Sequence, residues 1–347
     1  MKVIIDISPL KTVHKTRGIG IYTRQLVDAL QKNDPESRYI LTSKPQEYQA
    51  DLIHYPYFDF FSRTLPRKKR VKTVVTIHDT IPLVFPKHYK PGMRGKLNSL
   101  FQIHSLKTVN AIITDSHNSK KDIGRYLHQS KEKIHVVHLA ADSTFKKMSR
   151  EEISEMRIKY KLPNKYALYV GDVNYNKNIV GLIEGTSLLE EPLPLVLVAK
   201  AMKDIHIKEA QEIQSTITRL SMESRVHILT AVPLEPLTDL AAIYSGAFVY
   251  IQPSLYEGFG LPILEAMACG TPVVCSNTSS LPEVAGEAAI YINPEDKKSI
   301  KDAFETMLHQ SPSGRKQMVE AGLKQVKKFS WDRTAQATVN VYESVLA

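Results

Sequence analysis

Two glutamates stand eight positions apart on either side of a glycine-rich turn, in a segment that reads SLYEGFGLPILEAMACGTP. They are Glu257 and Glu265. Pro262 follows the turn where a first helical residue would stand, because its ring already holds the helical φ and it has no amide hydrogen to leave unpaired. The first amides of a helix and its dipole favour a phosphate, and carboxylates accept hydrogen bonds from sugar hydroxyls. We therefore predict a nucleotide-sugar site here, with Glu265 in the first turn or so of the helix. In this site, the phosphate would be bound by the backbone of the turn formed by Gly258, Phe259, Gly260 and Leu261.

Two further candidates follow short runs that read as strands. His78 and Asp79 follow the run 72–77 directly in the sequence. The segment from Gly171 to Lys177 follows the run 166–170 in the same way. Ligands of parallel α/β sheets collect at the carboxyl ends of the strands, which is where both would lie. A lone histidine is more often structural, and that interpretation stays open for His78.

Near the N-terminus, Gly18 and Gly20 stand between a strand and a helix, directly after Arg17. Glycines at such a turn let the backbone approach a ligand without interference from a Cβ, although a plain β–α turn would look the same. The dinucleotide fingerprint requires a third glycine, and Thr23 occupies its position. The missing third glycine argues against an enzyme that uses a nicotinamide cofactor.

The overall composition is that of an ordinary globular protein. The chain has 347 residues, of which 43% are apolar and 24% charged, so it is long enough for two domains. No apolar run approaches the roughly 18 residues needed to span a bilayer, and Asp6 interrupts the first apolar stretch, which favours a strand over a signal peptide. Cys269 and Cys275 form no disulfide framework. We therefore expect a reducing, cytoplasmic setting.

Positive charge is concentrated in the first part of the chain. Residues 1–143 contain 24 Lys and Arg against 12 Asp and Glu, whereas the remainder contains 22 against 24. Six cations crowd the segment from Arg63 to Lys72. Such a run is either a solvated loop or a contact for an anionic membrane surface or a phosphate-bearing acceptor. No nucleic-acid-binding motif accompanies it, so we expect no nucleic-acid partner.

Short β-branched runs alternate with longer amphipathic ones, which is typical of βα units and parallel sheets. A polar stretch from Ser143 to Asn164 separates two such series, and the tail after Asp296 reads as helical with breaks near 311–314 and 329–330. We predict an α/β fold with two Rossmann-like domains and a helical tail. The predicted strands are Val3–Ile7, Arg38–Leu41, Leu52–His54, Lys72–Ile77, Ala111–Thr114, Ile134–Val137, Tyr166–Val170, Leu195–Val198, Val226–Leu229, Ala247–Ile251, Val273–Cys275 and Ala289–Ile292.

The glutamate segment resembles the E-x7-E signature of the retaining glycosyltransferases of family 4. The likeness covers nearly the whole chain and includes Gly18–Gly20, His78–Asp79, Gly171–Lys177 and the region of Trp331. It is greatest to the mannosyltransferase-like branch that builds bacterial or archaeal surface polysaccharides. The resemblance implies a GT-B architecture, in which two Rossmann-like domains with parallel sheets face each other across a cleft. Its domains would be residues 1–143 for the acceptor, 144–328 for the nucleotide-sugar, and 329–347 as a helix that returns to the first domain.

The resemblance also assigns roles to single residues. It implies that Glu265 binds the ribose of the donor, that Glu257 binds the donor sugar hydroxyls, and that Lys177 and the amides at Gly260 bind the diphosphate. His78 would contact the transferred sugar. The loop that contains Gly18 and Gly20 would face the donor phosphate.

One position departs from the family pattern. The family usually places Arg directly after Gly171, where this chain has Asp172, so another cation would complete the diphosphate clamp. Lys200 and Arg17 are the candidates. The backbone around Val232 is the expected contact for the nucleobase.

A metal-independent enzyme without a cofactor is expected, because no Asp-x-Asp sequence and no spaced His, Cys and carboxylate cluster occur. Together with the resemblance, this predicts a retaining hexosyltransferase that moves a hexose such as mannose from a nucleoside-diphosphate sugar to a glycan or lipid-linked acceptor. The protein itself is expected in the cytoplasm or peripherally bound to the inner face of the cell membrane. Three alternatives stay open. The glutamates could be the acid and nucleophile of a glycosidase, the fold could host a nucleotide-sugar epimerase or phosphorylase, or the chain could be a non-catalytic module that binds anionic membranes.

Overall fold

Runs rich in Val, Ile and Leu form the strands of two parallel sheets. The computed structural model describes residues 1–12, 15, 18–233 and 235–347, and its strands form two six-stranded sheets. The chain divides into two compact units, one of Met1–Ala140 with Phe329–Ala347 and one of Ala141–Lys328. Parallel sheets are buried on both faces, which is why their strands read as nearly continuous apolar runs.

The first unit contains one of the sheets, in the strand order β2-β1-β3-β4-β5-β6. Ile4, Ile53, Val75 and Ile112 lie in its core, each at most 3% exposed. Ser116 caps one helix by accepting a hydrogen bond from the amide of Ser119. The elements are β1 (Lys2–Asp6), α1 (Gly18–Asn33), β2 (Arg38–Thr42), β3 (Leu52–Tyr55), β4 (Lys72–Thr76), α2 (Ile81–Val84), α3 (Met93–Leu106), β5 (Ala111–Thr114), α4 (His117–Leu127) and β6 (Ile134–Val136).

The second unit contains the other sheet, in the order β12-β11-β10-β7-β8-β9. Helices and the sheet enclose a core in which Leu182, Leu195, Val249 and Phe304 are fully buried. The elements are α5 (Arg150–Lys159), β7 (Ala167–Val170), α6 (Ile179–Ser187), β8 (Leu195–Val198), α7 (Lys208–Arg219), β9 (Val226–Leu229), α8 (Thr238–Gly246), β10 (Val249–Gln252), α9 (Leu261–Ala268), β11 (Val273–Ser276), α10 (Leu281–Ala285), β12 (Ala289–Ile292), α11 (Lys297–Leu308) and α12 (Pro312–Val326).

The last helix, α13 (Trp331–Leu346), packs within the first unit against α1. Tyr342 is fully buried there, and its hydroxyl lies 2.7 Å from Nδ1 of His54. Burial and the nearby charge of His78 lower the pKa of His54 to about 3, so this imidazole is neutral. Nε2 of His54 lies 2.8 Å from Thr76 Oγ1. A buried polar chain thus joins α13 to β3 and β4.

The predicted fold class and all twelve predicted strands are confirmed, with ends that differ by two residues or fewer. One local prediction was wrong. Pro262 is the second residue of α9 and not the first, because Leu261 already has helical geometry after Gly260. Arg17 lies outside the described residues.

Candidate active site

The order of the second sheet defines a crevice at its carboxyl edge. β7 and β10 are parallel neighbours, and from them the chain continues outward to β8 and β9 on one side and to β11 and β12 on the other. Open α/β sheets bind ligands at such a reversal of strand order, outside the carboxyl ends of the strands. The loops after β7 and β10 are joined there, since Leu255 N donates to Asn176 O at 2.8 Å and Asn176 Nδ2 donates to Tyr256 O at 2.8 Å.

Lys177 and Glu257 meet across these two loops. Nζ of Lys177 lies 2.8 Å from each carboxylate oxygen of Glu257, and the two side chains are only 21% and 8% exposed. Oε1 of Glu257 also accepts from Gln252 Nε2 at 2.6 Å and from Ser254 Oγ at 2.7 Å. A buried carboxylate with three donors on one oxygen is held in a single orientation, which is what a binding or catalytic group needs.

Lys177 and Glu257 can each form a further hydrogen bond to a ligand. An ammonium has three N–H donors, and within the described residues Lys177 uses two of them on Glu257. Oε2 of Glu257 accepts from Lys177 alone among the side chains described, whereas Oε1 is saturated. One N–H of Lys177 can therefore meet an anion while Oε2 of Glu257 accepts from a hydroxyl.

The turn after Glu257 leads directly into α9. Gly260 has φ +113° and ψ 44°, a left-handed conformation that favours glycine. The hydroxyl of Ser280 donates to the carbonyls of Glu257 and Phe259 at 3.0 and 2.8 Å and fixes the turn from the side of α10. The turn from Gly258 to Leu261 therefore leads into the N-terminus of α9 and directly follows Glu257, the partner of Lys177.

Glu265 is the fifth residue of α9 and so lies at the start of the second turn of that helix, just beyond the first turn. Its Oε2 accepts from the hydroxyl of Tyr244 at 2.8 Å. Burial raises the pKa of Glu265 to about 7; the hydrogen bond from Tyr244 opposes this shift, and the charge of Asp142 adds to it. The protonated form of this carboxyl therefore persists to higher pH than in an ordinary glutamate.

A buried polar chain on β10 connects the surroundings of the two glutamates. The hydroxyl of Tyr250 donates to Gln252, which in turn donates to Glu257. The ring of Tyr250 lies 5.5 Å from that of Tyr244, the partner of Glu265. Gln252 and Tyr244 were not among the residues predicted from the sequence. A signal was available for Gln252, because an amide at the end of an apolar strand is costly unless it has a partner.

The remaining candidates of the second unit lie in neighbouring loops. Lys200 is exposed directly after β8, and Val232 is partly buried after β9, so both stand at the same carboxyl edge of the sheet. Asp172, which replaces the expected cation, accepts from the amide of Val173 at 2.9 Å and shapes the loop after β7.

His78 lies in the first unit, two residues after the end of β4. Nδ1 of its ring lies 2.8 Å from Oδ2 of Asp115, and Nε2 lies 3.2 Å from the carbonyl of Pro56. Burial lowers the pKa of His78, but the charge and hydrogen bond of Asp115, with the charge of Asp79 and the Pro56 carbonyl, outweigh burial and raise it above 6.5. Because both neighbours are acceptors, the imidazolium form satisfies both ring nitrogens. The ring also packs edge-on against Tyr22 at 4.6 Å.

Gly18 and Gly20 form the start of α1 in the same unit. Gly20 is buried, whereas Gly18 is exposed. A Cβ added to Gly18 would meet no described atom within 4 Å, so packing within the described residues does not require glycine at this position.

Similar solved structures identify the class of fold. The chain resembles the Anabaena protein Alr3699/HepE in complex with UDP and glucose, with a TM-score of 0.75 at 16% identity over 99% of this chain and 100% of that one. It also resembles sucrose-phosphate synthase from Thermosynechococcus elongatus, with a TM-score of 0.75 at 19% identity over 99% and 98%. The two-sheet fold is therefore that of the GT-B glycosyltransferases.

Family models and a curated relative identify the family. The model described as Glycosyl transferases group 1 matches residues 150–325, and that of Glycosyltransferase Family 4 matches residues 32–145. The chain is 34% identical to O-antigen chain mannosyltransferase B of Escherichia coli over 86% of this chain and 75% of that protein. It is 30% identical to the serotype-specific mannosyltransferase WbdA of Escherichia coli, of which it spans about a third (34%). The chain belongs to the group 1 glycosyltransferases.

Among the helices described, none is both long and apolar enough to cross a membrane.

Proposed function

We propose that this glycosyltransferase moves a mannosyl residue from a nucleoside-diphosphate sugar to a glycan or lipid-linked acceptor, with retention of configuration and without a metal ion. The observation that carries the proposal is the placement of Lys177 and Glu257 at the strand-order reversal, beside the N-terminus of α9. This arrangement offers a cation and helix-end amides to a diphosphate and a fixed carboxylate to a sugar.

Two comparisons support the choice of donor. The relative that is 34% identical over 302 aligned residues is named O-antigen chain mannosyltransferase B. The solved neighbour from Anabaena holds UDP and glucose. A hexose on a nucleoside diphosphate fits both, and mannose fits the first.

In the donor complex, the free N–H of Lys177 would meet the diphosphate together with the amides at Gly260, and it would stabilise the charge that develops as the phosphate departs. Oε2 of Glu257 would accept from a hydroxyl of the sugar. Glu265 would accept from the ribose, and its raised pKa makes that bond strongest above about pH 7. The backbone at Val232 would contact the nucleobase. Lys200 would supply the positive charge that is missing at position 172, where this chain has Asp in place of Arg.

His78 would position the transferred sugar. Its longer hydrogen bond, 3.2 Å from Nε2 to the Pro56 carbonyl, is the one that a sugar hydroxyl would replace. Asp115 would keep the ring oriented during this exchange. Retention would follow the route that the family resemblance implies, a front-face displacement in which the departing phosphate takes the proton of the acceptor hydroxyl.

The test is a transfer assay with the whole chain. GDP-mannose, UDP-glucose and UDP-galactose are each incubated in EDTA with a mannose-terminated oligosaccharide, and proton NMR assigns the anomer of the product. We expect transfer from GDP-mannose with an α-linkage and no stimulation by Mg²⁺. A β-linked product, an absolute requirement for Mg²⁺, or the absence of transfer from all three donors would refute the respective part of the proposal.

A further inference from the structure

Helix α3 exposes an apolar stripe to solvent. Met93, Leu97 and Leu100 are 82%, 64% and 70% exposed, and their spacing of four and three residues places them on one face of the helix. The opposite face is buried, with Gln102 and Leu106 in the interior of the first unit. Single exposed apolar residues are ordinary, but three neighbours on one helical face form a patch that marks an interaction surface.

Cations are abundant in the part of the sequence that contains this stripe. From residue 60 to residue 114 the chain contains eleven Lys and Arg and a single acidic residue, Asp79. On α3 itself, Arg94 and Lys96 are exposed beside the stripe, and Lys107 is exposed directly after the helix. The carboxylate of Asp79 accepts from the amide of Ile81 at 2.9 Å and is thus engaged in its own loop.

The basic segment 63–72 is fixed against α3. The guanidinium of Arg63 lies 4.6 Å from the ring centre of Phe101, and its Nε donates to Asn98 Oδ1 at 3.0 Å. The amide of Leu65 donates to Gln102 Oε1 at 3.2 Å, and Nζ of Lys69 donates to the carbonyl of Ser105. A freely solvated loop would make no such bonds. Besides Arg63, the exposed cations of the segment are Arg67, Lys68, Arg70 and Lys72.

We propose that this surface, the α3 stripe with the basic segment 63–72, docks onto an anionic lipid bilayer. Aliphatic side chains on a helix that lies in the interface enter the headgroup region, and the cations around them meet lipid phosphates. A protein partner fits less well, because protein interfaces are depleted of lysine. Nucleic acid offers phosphates but no apolar phase for three aliphatic side chains. The proposal does not depend on the proposed transfer reaction, since docking requires neither donor nor acceptor.

The test is sedimentation of the whole chain with vesicles of phosphatidylcholine alone or mixed equally with phosphatidylglycerol. We expect binding to the mixed vesicles only, weakened in 0.5 M salt. Leu97→Ser with Leu100→Ser should weaken it about tenfold, since buried apolar area is lost. Arg67→Glu with Arg70→Glu should weaken it at least tenfold, because each cation near an anionic surface contributes about fivefold.

Matched controls lie in the second unit. Ile158→Ser removes an aliphatic side chain that is 78% exposed on α5, and Lys316→Glu with Lys324→Glu reverses two exposed charges on α12. Both should bind the mixed vesicles like the unaltered chain. Circular dichroism melting confirms that each variant is folded, and transfer to a water-soluble acceptor should be the same in all of them.

Three results would overturn the proposal. The first is no binding to the mixed vesicles at low salt. The second is equal binding by the stripe, charge and control variants. The third is a dimer in light scattering that Leu97→Ser with Leu100→Ser dissociates, which would assign the surface to a second copy of the chain.

Discussion

Lys177 is the counter-charge of Glu257 and, in the proposed function, also the cation that meets the diphosphate, so Lys177→Ala should affect both stability and turnover. Lys177→Ala would leave Glu257, only 8% exposed, without its counter-charge, although Gln252 and Ser254 still donate to it. We expect a loss of about 2–4 kcal/mol in the free energy of unfolding. Turnover of the folded enzyme should fall at least about a hundredfold, because the departing diphosphate loses its cation.

The matched control is Lys165→Ala. It removes an exposed ion pair with Glu191 and a cation–π contact 4.7 Å from the ring centre of Phe248 in the same unit, and each contributes about 1 kcal/mol or less at an exposed site. Denaturant unfolding and single-turnover kinetics measure the two effects. Near-normal turnover in Lys177→Ala would show that this lysine does not act on the diphosphate.

Glu265 predicts a pH dependence of stability. Its pKa is about 7 in the folded chain against 4.5 for an ordinary glutamate, so between these values the folded state binds a proton that the unfolded state releases. The contribution of Glu265 to stability therefore falls as pH rises from 4.5 to 7 and is constant above that. Glu265→Gln should remove this slope, so its stability relative to the unaltered chain should increase across that window. Urea unfolding at intervals of pH measures it, and a constant difference between the two proteins would contradict the prediction.

At the scale of the elements, the starts of α1 and α9 differ in why they contain glycine. Gly260 is left-handed, and a Cβ there would stand 2.7 Å from Leu281 Cδ2, so Gly260→Ala should cost about 1–2 kcal/mol of stability. Gly18→Ala should change stability by less than about 0.5 kcal/mol, because no described atom lies near the added Cβ. If Gly18 faces the donor phosphate, Gly18→Ala should nevertheless weaken donor binding. Thermal unfolding and donor titration of both variants decide this, and unchanged donor affinity in Gly18→Ala would remove Gly18 from the site.

Element positions were largely predictable from the sequence because each depends on local pattern. The runs at Ala111–Thr114 and Leu195–Val198 were predicted with the observed ends, since buried parallel strands are nearly continuous apolar runs. The partners of the site residues were not predictable. Lys177 and Glu257 are 80 positions apart, and His78 and Asp115 are 37 apart, so their pairing depends on which strands are neighbours in the sheet. No local pattern contains that information.

At the scale of the whole molecule, the predicted donor residues Lys177, Glu257 and Glu265 all lie within the single continuous unit Ala141–Lys328. The first unit, in contrast, requires α13 from the end of the chain. We therefore expect the fragment 141–328 to fold alone and to bind the nucleoside diphosphate without transferring sugar. Circular dichroism and calorimetric titration check this expectation. A folded fragment without nucleotide affinity would mean that the first unit contributes essential contacts.

In the proposed function, Lys177 and the start of α9 bind the diphosphate of a sugar nucleotide without a metal ion. The most direct measurement is the thermal stability of the whole chain in EDTA with GDP, UDP, ADP and their sugar conjugates, for the unaltered chain and for Lys177→Ala. A ligand at a hundred times its dissociation constant adds about 2.7 kcal/mol, which is a readily visible shift. We predict that one nucleotide family stabilises the unaltered chain and that the shift is lost in Lys177→Ala. No shift with any nucleotide, or a shift that requires Mg²⁺ or is equal in the two proteins, would contradict the claim.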